Sequence, residues 1–152
     1  MLIGVISDTH GLLRPEALAA LRGVEHILHA GDVGDIAILD ALREIAPVTA
    51  IRGNVDVSGA CAELPATDVV ELGDKLFYLV HSVRDLDINP VVAGIAMVVS
   101  GHSHKALVEV RDGVVFFNPG SAGPRRFSLP VTVGFVTVED GVEASVMELA
   151  VE

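Results

Sequence analysis

Two histidines stand two residues apart in Gly101-His102-Ser103-His104, directly after the apolar run Ile95–Val99. In an extended backbone the side chains at i and i+2 point the same way. His102 and His104 are therefore expected to aim at one spot just past a buried strand. The arrangement recurs along the chain. Leu2 to Ser7 is an unbroken strand-like run that ends in Asp8-Thr9-His10-Gly11, again with two ligand types two apart. Glu25 to Ala30 ends in Gly31-Asp32, Val48 to Ile51 runs into Gly53-Asn54, and Lys75 to Val80 ends at His81. Parallel strands of one sheet would bring Asp8, His10, Asp32, Asn54, His81, His102 and His104 to a single carboxyl edge, where α/β proteins place their ligand sites.

These donors suit metal chemistry. They exceed what one structural zinc needs, and there is no cysteine cluster. Two divalent ions about 3.5–4 Å apart would use them all if one carboxylate bridges the pair. Two such ions carry four positive charges against the two negative ones of Asp8 and Asp32, which leaves room for a hydroxide and a phosphate oxygen. Without a cation, buried carboxylates and imidazoles would face each other unpartnered, which is costly.

The elements that must hold these groups follow from the pattern. Continuous apolar runs are strands covered on both faces. Pro15 in the first turn, Leu18 and Leu21 on one face and Gly23 as a stop predict a first helix. Asp35 is the expected cap of a second helix, from Ile36 to about Ile45, that Pro47 ends. Strand-helix alternation over this first part means βαβ units and parallel pairing. After Cys61 the pattern changes. Thr67–Leu72 with Lys75–Val80, Ala106–Val110 with Val114–Asn118, and Val131–Val138 with Val142–Leu149 are joined by Gly73-Asp74, Arg111-Asp112-Gly113 and Glu139-Asp140-Gly141. Each reads as a hairpin. A short helix capped by Asn89, with Pro90 first and Gly94 as its end, is expected before Ile95. The prediction is one α/β (α+β) domain spanning residues 1–152, of two mixed β-sheets packed face to face with helices outside.

Composition narrows the function. The formal charge of −11 argues against a nucleic-acid surface, because that affinity comes from Lys and Arg. One cysteine cannot form an internal disulfide, no signal peptide precedes Asp8, and no apolar run spans a bilayer. A cytoplasmic protein with no membrane partner is expected.

Taken together, Asp8-Thr9-His10-Gly11, Gly31-Asp32, Gly53-Asn54, the lone His81 and Gly101-His102-Ser103-His104 resemble the calcineurin-like metallophosphoesterases. The length and the loop Asn118-Pro119-Gly120-Ser121 are similar to their small single-domain YfcE-like branch. The resemblance implies a four-layer αββα sandwich. It implies that Asp8, His10 and His104 hold one metal, that Asn54, His81 and His102 hold the other, and that Asp32 bridges them. Manganese is the first expectation for the pair; iron, nickel and zinc suit the same ligands. The implied reaction is hydrolysis of a small phosphodiester by a hydroxide bridging the two ions, with Asp32, Asn54 and His102 in catalytic roles. A phosphomonoesterase or nucleotide phosphatase on the same site is the enzymatic alternative. A non-catalytic protein-interaction scaffold, as in the retromer subunit similar to this family, is the other. Relatives often pair, so a homo-oligomer is compatible.

Two departures bear on rate. Many relatives read Gly-Asn-His-Asp/Glu, where the histidine protonates the leaving group or steadies the phosphate; here Val55 stands in its place and leaves Asp56 no imidazole to orient. Many also read His-Gly-His where this chain has His81-Ser82-Val83. Neither change removes a metal ligand, but weaker general-acid assistance, worth about 10²–10⁴-fold, is expected. His26 and His29 carry no motif spacing and are expected to be structural, while Ser7 and Thr9 are expected to support the ligands. Arg125 and Arg126 read either as surface charges or as contacts to a substrate phosphate.

Overall fold

The computed structural model describes residues 1–151. Two five-stranded mixed sheets pack face to face, and the site lies where their central strands end together. The first sheet contains β1 (Leu2–Ile6), β2 (His26–His29), β3 (Val48–Ala50), β9 (Thr132–Val138) and β10 (Val142–Glu148), in the order β10-β9-β1-β2-β3. The second contains β4 (Thr67–Leu72), β5 (Lys75–Val80), β6 (Ile95–Val99), β7 (Leu107–Arg111) and β8 (Val114–Asn118), in the order β4-β5-β6-β8-β7. β1, β2 and β3 pair in parallel, as do β5, β6 and β8. The three hairpins expected from the turn sequences all form.

Alternation along β1 shows how the layers are made. Ile3 and Val5 face the second sheet, where they join Leu28, Ile51, Phe77, Leu79, Met97, Val99 and Phe117 in the central core. Ile6 faces outward, with Ile27, against helices α1 (Pro15–Leu21) and α2 (Ile36–Arg43) through Leu21, Leu39 and Leu42. Asp35 caps α2 as expected, accepting from Ala37 N at 2.9 Å. The face of α1 that buries fully is Ala17 and Leu21, with Leu18 only partly covered.

The outer layer on the second sheet is thin. Its face, Tyr78, Val80, Val98 and Phe116, is covered by Leu86 and Ile88 beside a 3-10 turn at Val83–Asp85. The helix expected after Asn89 is a single turn. Asn89 does cap Val91 N and Val92 N, but Gly94, at φ 72°, ends the turn before a helix can propagate. Among the described residues no helix is long and apolar enough to cross a membrane.

Candidate metal centre

Five strands deliver the seven residues singled out by the sequence. β1 ends at Asp8 and His10, β2 at Asp32, β3 at Asn54, β5 at His81, and β6 at His102 and His104. The expectation that one sheet would supply them all is corrected: β1–β3 belong to one sheet, β5 and β6 to the other, and the shared rim is the site. Loop-to-loop hydrogen bonds lace it together, from Asp8 N to Gly31 O, His10 N to Asp32 O and Gly101 N to His81 O.

A second correction concerns how the histidines are aimed. His102 and His104 are not extended; their φ angles are 71° and 63°. Asp8, His10 and Asp32 share this left-handed backbone, at 57°, 46° and 55°. Such conformations cost of order 1–3 kcal/mol each for residues with a Cβ and persist where surrounding structure enforces them, typically at functional sites. One consequence is that His102 and His104 do not meet at a single spot. The ligand atoms of Asp8, His10 and His104 lie within 4.8 Å of one another, and those of Asp32, His81 and His102 form a second trio on the same criterion. His10 Nε2 is 3.3 Å from His104 Nε2, and each lies 3.5–3.7 Å from Asp8 Oδ1.

Asp32 stands between the trios. Its Oδ2 is 3.1 Å from His81 Nε2 and 3.5 Å from His10 Nε2. Burial alone would raise its pKa, but the hydrogen bonds from His81 and Val55 N and the nearby imidazoles hold it at about 2. Asp8 goes the other way: burial pushes its carboxyl up, against Ser7 Oγ, which donates to Oδ2 at 2.7 Å. His102 N also donates to that oxygen, at 3.1 Å.

Not every polar group of the cluster finds a partner among the others; His104 Nδ1 is buried with none. Asp8 Oδ1 is buried with no hydrogen-bond partner. His81 Nδ1 donates to Ala30 O at 2.8 Å, so Nε2 faces Asp32. A proton there binds the carboxylate, which, against burial, raises the pKa of the ring. Once that proton is lost, Nε2 offers its lone pair to a cation. The inner end of the Asn54 amide lies 3.2 Å from each Asp32 oxygen and 3.1 Å from His81 Nε2. With its nitrogen inward the amide donates to these acceptors, and a half-turn of the side chain would offer its oxygen to a cation held between them. Asn54 does not adopt the left-handed turn conformation that an Asn following a Gly often takes.

Beneath the ligands lie residues that the sequence marked only as support, or in one case left without a role. Asp56 is buried and accepts from Val33 N, Gly34 N and Gly53 N at 2.9–3.0 Å, so it ties the Asn54 loop to the Asp32 loop. Its task is to replace backbone partners, with no imidazole involved. Asp56→Ala is expected to cost about 3 kcal/mol in urea unfolding, since one buried and two partly buried N–H groups lose a charged acceptor; a loss under about 1 kcal/mol would mean water replaces it. Gly53 and Gly101 bring backbone against carboxylates: a Cβ at Gly53 would overlap Asp32 Oδ1, and one at Gly101 would overlap Ser7 and Asp8. Asn118 Nδ2 donates to Gly101 O at 2.9 Å and Ser121 Oγ to Asp8 O at 3.1 Å, so the Asn-Pro-Gly-Ser loop props both ligand loops. Arg125 reaches only Val151 O, on the surface, whereas the charge of Arg126 acts on His104.

His29 is fully buried, with Nδ1 accepting from Gly31 N and Nε2 against Thr9 Oγ1. Burial drives its pKa from 6.5 down to about 4, partly opposed by Asp56 and Asp32. The fold therefore holds it neutral. As pH falls below 6.5 the unfolded chain takes up a proton that the folded one refuses, so stability present above 6.5 is lost at up to about 1.4 kcal/mol per pH unit until pH reaches about 4. Urea melts of chelated protein should show this slope, and His29→Asn should flatten it. Equal slopes would clear His29 of the effect.

The sequence model of the Calcineurin-like phosphoesterase superfamily domain matches residues 1–141. The chain is 32% identical to a probable metallophosphoesterase of Methanocaldococcus jannaschii, over 98% of this chain and 82% of that protein. It is 27% identical to a phosphodiesterase of the same organism, over 91% and 94%. In fold it is similar to Vps29 of Entamoeba histolytica, whose structure was solved in complex with zinc: TM-score 0.73, 22% identity, covering 97% of this chain and 99% of that one. On the strength of the family match over residues 1–141 and of the relative at 32% identity, the chain belongs to the calcineurin-like phosphoesterase superfamily.

Proposed function

We propose that this protein is a metal-dependent phosphodiesterase whose rim holds two divalent ions. Asp8, His10 and His104 would hold one, Asn54, His81 and His102 the other, with Asp32 shared between them. The carrying observation is the pair of ligand trios joined by Asp32 around a buried, unpartnered carboxylate oxygen. Divalent ions bound there would supply a water nucleophile near neutral pH and draw charge from the phosphoryl oxygens. The chain's own part is positioning. Ser7 and His102 N fix Asp8, Ala30 O fixes the His81 tautomer, and Val55 N fixes Asp32. The reading requires no Ser or Cys nucleophile and no side-chain base. With a valine at position 55, no imidazole meets the leaving group there, which favours esters that depart without a proton. The phosphodiesterase named among the relatives supports the diester over the monoester reading.

Bis-p-nitrophenyl phosphate tests the proposal. Protein stripped with chelator should be inactive, and manganese should restore hydrolysis at two ions per chain, with iron, nickel and zinc tried alongside. Faster turnover of p-nitrophenyl phosphate would favour a monoesterase. Two ions bound and no hydrolysis of either ester would favour an interaction scaffold, the reading that the Vps29-like fold keeps open.

A further inference from the structure

Two cavities flank His102, and their walls differ in charge. One, of about 620 Å³, carries Asn54 and His81 with Arg52 and Arg84 opposed by Asp85 and Asp87. The other, of about 610 Å³, lies over the ends of β6, β7 and β8; its charged side chains are Arg84, Lys105 and Arg111, with no acidic residue lining it among the described residues. That is an unusual wall in a chain with 21 acidic and 10 basic residues. Arg111 is already neutralised, since Glu109 takes its Nε and Nη2 at 2.9 and 3.1 Å while its guanidinium lies over Phe116 at 4.7 Å. Arg84 and Lys105 have no ion-pair partner among the described residues. Leu107 and Phe116 give the same cavity an apolar side.

We infer that this second cavity is a subsite for one ester arm of the substrate, and that the arm carries an anion of its own. Resting on the phosphodiesterase reading, the inference names the substrate class: a diester whose phosphorus sits by His102 and whose arm reaches a carboxylate or phosphate to Arg84 and Lys105, its carbon chain against Leu107. His102, Ser82 and Arg84 belong to both cavities, so an arm bound in either starts from the same centre. An uncharged arm would leave two cations without counter-charge, and an acidic surface elsewhere would steer anions to this wall and away from the rest.

Three substrates with one leaving group test it: the butyl, 3-carboxypropyl and 3-phosphonopropyl esters of p-nitrophenyl phosphate. The manganese-loaded protein should favour the anionic esters about tenfold or more in kcat/KM, chiefly through KM, two partly exposed ion pairs being enough for that. Whichever of the two anionic arms is preferred identifies carboxylate or phosphate. The double variant Arg84→Ala/Lys105→Ala should bring the ratio to the butyl ester near one, Lys105→Glu should push it lower, and Arg84→Lys should restore most of it. These side chains are exposed, so folding is not at stake. A wild-type ratio near one, or a ratio that survives Lys105→Glu, overturns the subsite. If none of the esters is hydrolysed, the hydrolase reading fails instead. Calorimetric titration of the same protein with the butyl and phosphonopropyl esters then decides the cavity: equal affinities overturn it and a preference lost in the double variant supports it.

Discussion

Asp32→Ala should reduce hydrolysis of bis-p-nitrophenyl phosphate by about 10³-fold or more and bring the metal content below two ions per chain. Removing a single preorganised electrostatic contact in a catalytic site already costs about 10²–10³-fold, and Asp32 occupies a more demanding place than a single contact. Its Oδ2 lies within 3.1–3.5 Å of imidazoles from both trios, and its Oδ1 is fixed by Val55 N. Among the described residues no other carboxylate touches both groups so closely; Asp8 Oδ1 is 3.9 Å from His81 Nε2. The low pKa matters too. A group held at about 2 stays ionised at any pH where the imidazoles are free to bind a cation. Asp32→Asn separates charge from shape: an amide oxygen can still touch one ion, so partial metal content with lost activity is the expected result. Full activity and two ions in Asp32→Ala would end the dinuclear proposal. A control at Asp40, an exposed acid paired with Arg43 on α2, should change neither reading.

Much of this was legible because ligand types follow strand ends. Asp8, Asp32, His81 and His102 each come just after an apolar run closes, and hydrophobic patterning locates such ends well. The hairpins were legible from their Gly-containing turns. Less could be read where long-range contacts decide. That β9 and β10 join β1, so that the amino-terminal sheet is completed by the carboxyl-terminal hairpin, depends on pairing across the chain that no local pattern encodes. The i, i+2 argument for His102 and His104 pointed to the right residues for the wrong reason. The left-handed backbone sends them to different trios, and that backbone is imposed by loops which meet only after folding. Asp56 illustrates the same limit. As a residue beside a missing histidine it had no visible role, yet in three dimensions its carboxylate closes three backbone donors from two loops. The thin outer layer on the second sheet follows from Gly94 cutting the Asn89 turn short, where the capping residues alone suggested a helix.

Val55→His is the gain-of-function counterpart. Residue 55 is anchored through its N–H to Asp32 while the residue is 44% exposed, so an imidazole can be placed beside the site without opening the core. For p-nitrophenyl esters the leaving group departs without help, and the rate should change by less than about threefold. For alkyl leaving groups, which need a proton, a positioned general acid is worth about 10²–10⁴-fold, and the variant should approach the lower end of that range. Two signatures separate proton donation from simple tightening of the phosphate. The dependence of rate on leaving-group pKa should flatten, and the pH profile for alkyl esters should acquire a descending limb above the pKa of the new imidazole, near 6.5 for an unperturbed ring. A uniform rise across all leaving groups would mean that the imidazole steadies the phosphoryl oxygens instead. Unchanged leaving-group dependence with two ions bound would mean that the departing oxygen does not lie beside residue 55.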